Sequence, residues 1–222
     1  MTYRSLSLLV PTRGQLPRLE LMLASFFATV GHTPVELILR IDNDDDETRT
    51  WLLQQSLPIT VIIGPRWEGY ISLPRYFNQM AAHATGDLLM CGNDDMVFMS
   101  DDWPRRYLAA AHPFRHDGLF DLGCWTYPAG AFPFSCVSRQ TVARLGFIND
   151  DRLVYSDIFL RDVMARMGRS IIVPDVTILH MGQADHDANR VKWHLHTNAV
   201  EYWQRHDRCV SEAVSILQLG IA

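Results

Sequence analysis

The chain of 222 residues lacks the features that mark several classes of protein. Its four cysteines form no C-x-x-C pair, which argues against a disulfide framework or a zinc site and for reduced thiols in a cytoplasmic protein. No apolar stretch is long enough to span a membrane, and the run at residues 6–10 is too short for a secretory signal. The net charge of −5 argues against a protein that mainly coats nucleic acid or anionic membrane.

The remaining composition is that of an ordinary globular domain. Apolar residues make up 48% and charged residues 20% of the chain, which is long enough to bury a full core. Neither an internal repeat nor a low-complexity linker divides the sequence. We therefore expect one domain, whose first half binds one ligand and whose second half completes the site.

In the first half, short apolar runs alternate with segments of helical periodicity. This alternation predicts a parallel sheet with helices on both faces. The predicted strands are residues 6–10, 35–41, 59–63 and 87–91, and the predicted helices are residues 16–30, 48–55 and 73–84.

The second half is less regular. Glycine, proline and aromatic residues are frequent in residues 117–134, which predicts irregular strands and loops. The polar tail from Gly182 onward is expected to lead into one or two amphipathic helices. The other predicted elements are helices at residues 103–112, 138–145 and 157–167, and short strands at residues 170–173 and 177–180 on either side of Pro174.

The triplet Asn93-Asp94-Asp95 directly follows the fourth predicted strand. Open α/β sheets bind ligands at the C-terminal edge of their strands, which is where these side chains would lie. Two adjacent carboxylates repel each other, and a divalent cation that bridges to phosphate oxygens would compensate them. A polar turn that closes a strand is the alternative, because Asn and Asp are common in turns. The triplet alone favours neither interpretation.

Four segments, taken in their order and spacing, point to a known family. They are residues 7–13 (Ser-Leu-Leu-Val-Pro-Thr-Arg), residues 39–43 (Leu-Arg-Ile-Asp-Asn), residues 78–87, which end in Ala-Thr-Gly-Asp, and the triplet at 93–95. Together they resemble the GT-A glycosyltransferases, in particular the large family 2-like group of inverting enzymes that use nucleotide sugars. The resemblance covers residues 6–180, and it departs from the family's D-x-D motif at Asn93.

This resemblance implies an α/β fold of the GT-A, Rossmann-like type, with a mostly parallel sheet flanked by helices and a C-terminal extension on the acceptor side. It divides the single domain into a nucleotide-binding half (1–96), an acceptor and catalytic half (97–182) and a C-terminal loop with helices (183–222). The implied activity is metal-dependent transfer of a hexosyl or pentosyl group from a nucleotide sugar, most readily a UDP-sugar, to an acceptor hydroxyl with inversion.

The resemblance also implies a nucleotide site. Asp42, at the end of the second strand, would accept the N3–H of uracil, while backbone groups of Pro11 and Thr12 would hold the edge of the base. N-capping of the next helix is the alternative for this acidic cluster, and we expect Asp45 and Asp46 to lie in a solvated turn. The further candidates for donor binding are Arg13, Asp44, Arg75, Asn93 and Asp94, with the two arginines facing the diphosphate.

By the same resemblance, Asp95 and His180 would bind Mn²⁺ or Mg²⁺, which would neutralise the diphosphate leaving group. Asp94 would share the ion or hold the donor sugar and ribose. Asp157, which opens a predicted helix, would be the general base that deprotonates the acceptor. His180 has a structural role as its alternative, Asp157 has helix N-capping, and the other candidates for the base are Asp150, Asp151 and Asp162.

The acceptor is expected to bind to the second half. Residues 125–134 combine aromatic rings with glycine and proline, which suits a platform for sugar or base faces but also a packed core. Residues 183–192 are expected to close over the diphosphate or to form a polar loop without that role. The candidate acceptors are a glycan, a small molecule, a protein or a modified DNA base, the last by likeness to phage-encoded enzymes that act in the host cytoplasm.

Two other functions share parts of this pattern. A nucleotidyltransferase has the same sheet topology, but it usually carries a Gly-rich phosphate loop and a catalytic lysine, and the single lysine here is Lys192. An inactive module that binds nucleotide sugars is the other alternative, and the presence of Asp95, Asp157 and His180 disfavours it. A glycosyltransferase is therefore the function that the sequence favours.

Overall fold

The apolar runs of the first half form four parallel strands in the computed structural model, which describes residues 2–67, 72–127, 130–131, 134–145, 156–181 and 200–219. Strand β1 (Leu6–Thr12) pairs with both β2 (Val35–Asp42) and β4 (Leu88–Cys91), and β2 also pairs with β3 (Thr60–Gly64). The helices between these strands are α1 (Leu16–Thr29), α2 (Asp46–Leu53) and α3 (Leu73–His83). The predicted alternation of strands and helices is confirmed.

The second half extends this sheet with strands of mixed direction. Its elements are β5 (Met96–Phe98), α4 (Trp103–Ala111), a 3-10 turn (His112–Phe114), β6 (Asp121–Tyr127), β7 (Gly130–Ala131), β8 (Cys136–Ser138), α5 (Arg139–Leu145), α6 (Ser156–Arg166), β9 (Ser170–His180) and α7 (Val200–Leu219). The strand order is β3-β2-β1-β4-β8-β6-β9-β5, with β7 beside β6. The β4–β8, β8–β6 and β9–β5 pairs are antiparallel, whereas β6 and β9 are parallel.

Alternate residues of β1 pack into two apolar clusters, one on each face of the sheet. Leu6, Leu8 and Val10 join a cluster with α1 and α4, whereas Leu9 joins a cluster with α3 and α6. All four side chains are fully buried. Because helices cover both faces, β1 carries apolar residues on both faces, and its two polar residues, Ser7 and Thr12, are buried as well.

Two features of the second half differ from the prediction. The short strands expected on either side of Pro174 are one strand, β9, whose register with β6 shifts between Gly123 and Trp125. Asp175, at this irregularity, has a φ of 59°. A bulge suits proline because it leaves a residue out of the hydrogen-bonded ladder. Strand β5 is absent from the prediction, since three residues are too few to show a period.

The described part of the C-terminal tail, residues 200–219, forms one long helix, α7, which packs on α6. Val210, Ala213 and Leu217 are buried in the same cluster as α6. Arg166 of α6 donates a hydrogen bond to Ser211 of α7 at 2.9 Å. In the described ranges, no helix combines the length and apolar character that a membrane span requires.

The Thr-Gly-Asp turn before β4 lies at the N-terminal edge of the sheet, opposite the predicted site. Here the Glu36 carboxylate accepts hydrogen bonds from the Ser7 hydroxyl and from the backbone N–H groups of Thr85 and Gly86. A Cβ atom on Gly86 would lie 2.6 Å from the backbone nitrogen of Ser7. Glycine is required there because any side chain would collide with the backbone of β1. The segment at residues 78–87, one of the four that resemble the family, therefore stabilises the fold.

The Glu36 contacts predict sensitivity to acid. Burial alone would raise the pKa of Glu36, but the hydrogen bonds from Ser7, Thr85 and Gly86 outweigh burial and lower the pKa. A carboxylate with a lowered pKa stabilises the fold above its unfolded-state pKa, and this contribution is lost as the pH falls through the folded-state pKa.

Wild type should therefore lose more unfolding free energy than Glu36→Gln between neutral pH and about pH 3, because glutamine keeps the acceptor oxygen but does not titrate. Urea unfolding of both proteins at the two pH values measures the difference. Equal losses would show that Glu36 does not couple stability to pH.

Candidate active site

The C-terminal ends of β1, β2 and β4 bring a cluster of carboxylates together. Thr12 at the end of β1 and Arg13 and Gly14 in the turn after it each hold a different carboxylate, and they tie the strand ends to one another. The three hydrogen bonds join Thr12 Oγ1 to Asp94 at 2.7 Å, Arg13 Nη1 to Asp42 at 3.2 Å and the Gly14 N–H to Asp45 at 2.8 Å.

Asp42 is buried at the end of β2, and its two oxygens have different partners. Oδ1 accepts hydrogen bonds from Arg40 Nη1 and from the Tyr76 hydroxyl, both at 3.0 Å. Oδ2 pairs with Arg13 Nη1 at 3.2 Å, and the Arg13 side chain is 38% exposed. Oδ1 is thus held from inside the protein, while Oδ2 pairs with a side chain that reaches solvent.

Arg40 is fully buried beneath this carboxylate. Its guanidinium donates hydrogen bonds to Gln79 Oε1 at 2.8 Å and to the Pro65 carbonyl at 2.6 Å, in addition to Asp42. A buried charge is costly unless it is paired and hydrogen-bonded, and these partners meet that requirement. A Cβ atom on Gly64 would lie 2.9 Å from the guanidinium, so a glycine makes room for it.

Two aromatic rings cover the Arg40 guanidinium. Its carbon lies 5.1 Å from the centre of the Trp67 ring and 4.8 Å from that of Tyr76. The two rings are 4.9 Å apart, and the Tyr76 hydroxyl accepts a hydrogen bond from the backbone N–H of Trp67 at 2.9 Å. The guanidinium carbon of Arg75 lies 4.8 Å from the centre of the Trp67 ring. Arg75, which the sequence predicts to face the diphosphate, is therefore near Asp42. Its contact with a diphosphate stays a prediction.

Arg13 links buried Asp42 to exposed Asp44. Its guanidinium bonds both oxygens of Asp44, with a distance of 3.0 Å from Nη2 to Oδ2. These hydrogen bonds lower the pKa of Asp44. Arg13 and Asp44, both expected in the nucleotide site, therefore lie together at its surface.

Asp45 caps helix α2 and is buried, so the expectation of a solvated turn is wrong for this residue. Its carboxylate accepts hydrogen bonds from the backbone N–H of Thr48 at 3.3 Å and of Gly14 at 2.8 Å. The run of aspartates does not reveal which one caps, because the backbone of the turn decides which carboxylate faces the free N–H groups. Asp46 is exposed, as expected, and pairs with Arg49.

Asp94 and Asp95 lie in the turn between β4 and β5, after the half-buried Asn93. Burial raises the pKa of Asp94 to about 6; the hydrogen bond from Thr12 opposes this shift, and the charge of Asp95 adds to it. A cation beside the pair would relieve the repulsion between the two carboxylates.

His180 lies beside Asp95 because β5 and β9 pair with Met96 opposite His180. The distance from His180 Nε2 to Asp95 Oδ1 is 3.3 Å. Oδ1 is buried and accepts no hydrogen bond from the described residues. Two ligands that each lie about 2.1 Å from one divalent ion are about 3 Å apart, so this pair fits a shared cation. No set of three His, Cys, Asp or Glu residues in the described ranges could hold a metal by itself.

Several expected site residues lie partly or wholly outside the described ranges. Asp157 is in the first turn of α6, but its side chain is not described. Asp150, Asp151 and the loop at residues 183–192 are outside the described ranges. The roles expected for them stay predictions.

Asp162, another candidate for the base, already contacts two side chains, Arg161 and His206. Its carboxylate pairs with Arg161 at 3.3 Å and with His206 Nε2 at 3.1 Å. His206 is buried between α6 and α7, where it contacts Phe159 at 6.2 Å between ring centres. These contacts assign Asp162 to the packing of the two helices and disfavour it as the base.

The segment expected to form an acceptor platform contains both exposed and buried rings. Trp125 and Tyr127 are 52% and 69% exposed on one face of β6, whereas Thr126 between them is buried. Phe134 is buried and packs edge-on against His180, with 5.4 Å between ring centres. The two exposed rings suit a binding surface, and Phe134 belongs to the core beside the candidate metal site.

Sequence reasoning missed Arg40, Tyr76 and Trp67 as members of the site. Arg40 does leave a signal, because a charged residue late in an apolar strand must find a buried counter-ion. Tyr76 and Trp67 leave no such signal. Tyr76 fits the period of a helix and Trp67 is in a loop, and neither position shows which aromatic rings will be in contact.

Comparison with known proteins identifies a family. The family described as Glycosyl transferase family 2 matches residues 7–120, which is just over half of the chain. No curated protein sequence matches the chain.

Two solved structures share the fold. The mannosyltransferase PcManGT from Pyrobaculum calidifontis, in complex with GDP-Man and Mn²⁺, is 17% identical with a TM-score of 0.69, over 99% of this chain and 74% of that one. Residues 1–349 of TarS from S. aureus, in complex with UDP, are 11% identical with a TM-score of 0.62, over 79% of this chain and 60% of that one. At these identities the likeness shows the GT-A fold alone.

Removal of Asp42 should destabilise the fold far more than removal of Asp44. Asp42→Ala leaves the buried charge of Arg40 without its carboxylate, and breaking a buried pair in this way costs about 3–5 kcal/mol of unfolding free energy. Asp44→Ala removes only an exposed partner of Arg13 and should change stability little. Urea unfolding of both variants at neutral pH tests the contrast, and equal effects would show that Arg40 does not depend on Asp42.

Proposed function

This chain belongs to glycosyl transferase family 2 and is a glycosyltransferase with a GT-A fold, and we propose that it transfers a sugar from a UDP-sugar to an acceptor hydroxyl with inversion. The observation that carries this proposal is the juxtaposition of two charged sites at one edge of the sheet. Asp42 lies at the end of β2, and the Asp95–His180 pair lies beyond the end of β4.

The nucleotide would bind across the ends of β1 and β2. Asp42 Oδ2 would accept an N–H of the base, and the backbone at Pro11 and Thr12 would hold its edge. Arg13 and Arg75 would face the diphosphate, where a planar guanidinium matches phosphate oxygens. Asp94, held by Thr12 at 2.7 Å, would bind the ribose or the donor sugar.

Asp95 and His180 would hold a divalent cation, Mn²⁺ or Mg²⁺. The buried Oδ1 of Asp95, without a hydrogen bond from the described residues and 3.3 Å from His180 Nε2, suits this role. Such an ion neutralises charge on the diphosphate leaving group.

Asp157 would act as the general base from the first turn of α6. Its carboxylate would take the proton of the acceptor hydroxyl as that oxygen attacks the anomeric carbon. The bond from this carbon to the diphosphate oxygen breaks, and its electron pair leaves with the diphosphate. A single displacement of this kind inverts the anomeric configuration.

The acceptor would bind against Trp125 and Tyr127. These exposed rings are on β6, which pairs with β9, the strand that ends at His180. Aromatic faces suit the apolar faces of sugar rings, so a glycan or another molecule with a sugar hydroxyl fits this surface.

UDP should bind this protein more tightly with Mn²⁺ than with EDTA. Asp95→Ala and His180→Ala should each reduce the metal-dependent gain in affinity by at least roughly tenfold, because each removes a ligand. Asp95→Ala should keep its melting temperature, since it removes one of two carboxylates that repel each other.

Calorimetry with UDP measures these affinities, with Asp207→Ala, an exposed carboxylate on α7, as the matched control. Equal affinity for UDP with Mn²⁺ and with EDTA would remove the ion from the proposal. An unchanged metal effect in His180→Ala would assign His180 to the core.

Asp157→Asn should abolish most transfer while leaving UDP affinity near that of wild type. Asparagine keeps the shape and can still cap the helix, but it cannot accept the proton, and general-base catalysis contributes roughly 10²–10⁴-fold. Transfer rates and anomeric analysis of the product test this, with Asp162→Asn as the comparison. A fully active Asp157→Asn, or a product of retained configuration, would contradict the assignment.

A further inference from the structure

We infer that Tyr76 and Arg40 determine which nucleobase this enzyme accepts, by leaving Asp42 one oxygen with which to bind a single N–H. The inference rests on the proposed function, because it concerns the base of the sugar-nucleotide donor. Tyr76 and Arg40 are buried behind Asp42, so they would act on the base through this carboxylate.

The hydrogen bonds of Asp42 divide its carboxylate into two unequal halves. Each carboxylate oxygen has two lone pairs, and Oδ1 uses both, one for Arg40 Nη1 and one for the Tyr76 hydroxyl, at 3.0 Å each. Oδ2 has Arg13 at 3.2 Å as its partner, which leaves a lone pair for a ligand.

Neither partner of Oδ1 can easily release it. Arg40 is fully buried and is also held by Gln79 at 2.8 Å and by the Pro65 carbonyl at 2.6 Å. Burial raises the pKa of Tyr76, so its hydroxyl stays protonated and remains a donor. The backbone N–H of Trp67 donates a hydrogen bond to the same hydroxyl oxygen at 2.9 Å, which directs the hydroxyl proton of Tyr76 toward Asp42.

This half-occupied carboxylate discriminates between bases. Guanine presents two adjacent donors, its ring N1–H and its amino group, and it engages a carboxylate fully only when both oxygens are available. Uracil and thymine present one imide N–H between two carbonyl oxygens, which matches a single free oxygen.

Cytosine lacks the imide proton and offers an amino group beside a ring acceptor. An imide N–H is the more acidic donor, so it forms the stronger bond to an ionised carboxylate. The site should therefore prefer uracil and thymine over both cytosine and guanine. A site that leaves a ligand donor unpaired rejects that ligand strongly, because the unpaired group has lost its water.

Calorimetric titration of the wild-type protein with UDP, TDP, CDP and GDP, each with Mn²⁺, tests the preference. UDP and TDP should bind with similar affinity and at least roughly tenfold more tightly than GDP and CDP. GDP or CDP binding as tightly as UDP would overturn the inference and leave the proposed transfer intact. Failure of all four nucleotides to bind would overturn both.

Tyr76→Phe tests the role of the clamp on Oδ1. Loss of the hydroxyl removes one of the two hydrogen bonds that hold Oδ1 inward. The carboxylate can then turn and offer both oxygens to guanine, so the ratio of UDP to GDP affinity should narrow by roughly 3–10-fold. A merely structural role would weaken all four nucleotides alike and leave the ratio unchanged, which would overturn the inference.

Tyr3→Phe is the matched control. The Tyr3 hydroxyl bonds the Phe114 carbonyl at 3.4 Å, and its ring packs on Phe120, before the N-terminal end of β1 and away from the strand ends that carry Asp42. This variant should bind the four nucleotides with the wild-type ratios. A ratio that narrows equally in both variants would overturn the assignment to Tyr76.

Discussion

The burial of one guanidinium organises the end of the sheet at which Asp42 lies. Arg40 points into the packed region between β2 and α3, where a bare charge would be strongly destabilising. Its requirements explain the features around it: a carboxylate at the end of β2, a glycine at position 64, an amide on α3 and two aromatic rings that cover it. The candidate base-binding carboxylate is therefore also a counter-ion of the fold.

The same edge of the sheet also carries an excess of negative charge, from the carboxylates at the ends of β2 and β4. The end of β1 and the turn after it supply one hydroxyl, one guanidinium and one backbone N–H, each directed at a different carboxylate. Asp95 instead has His180 as its neighbour, and its buried Oδ1 accepts no hydrogen bond from the described residues. The protein itself thus compensates Asp42, Asp45 and Asp94, and the Asp95–His180 pair is the part of this edge that suits an added cation.

The segments that resemble the family lie at both edges of the sheet. The segment that ends in Thr-Gly-Asp lies at the N-terminal edge, where Gly86 and Glu36 hold β1 and β4 in place. The acidic triplet that follows β4 lies at the C-terminal edge. A four-residue strand separates the two, so the packing at one edge positions the chemistry at the other.

The sequence by itself determined the alternation of the first half, the edge of the sheet at which Asp42, Asp94 and Asp95 lie, and the family, because periodicity and strand-end motifs are local properties of the chain. Only the tertiary structure decided that Asp45 is the cap, that β9 runs through Pro174, and that Asp162 belongs to a helix contact with His206. It alone also decided that Arg40 and Tyr76 share one oxygen of Asp42. The contacts of Asp45 with Gly14, of Asp42 with Tyr76 and of Asp162 with His206 join residues distant in sequence. Which side chains meet there depends on how helices pack on the sheet, which no local pattern records.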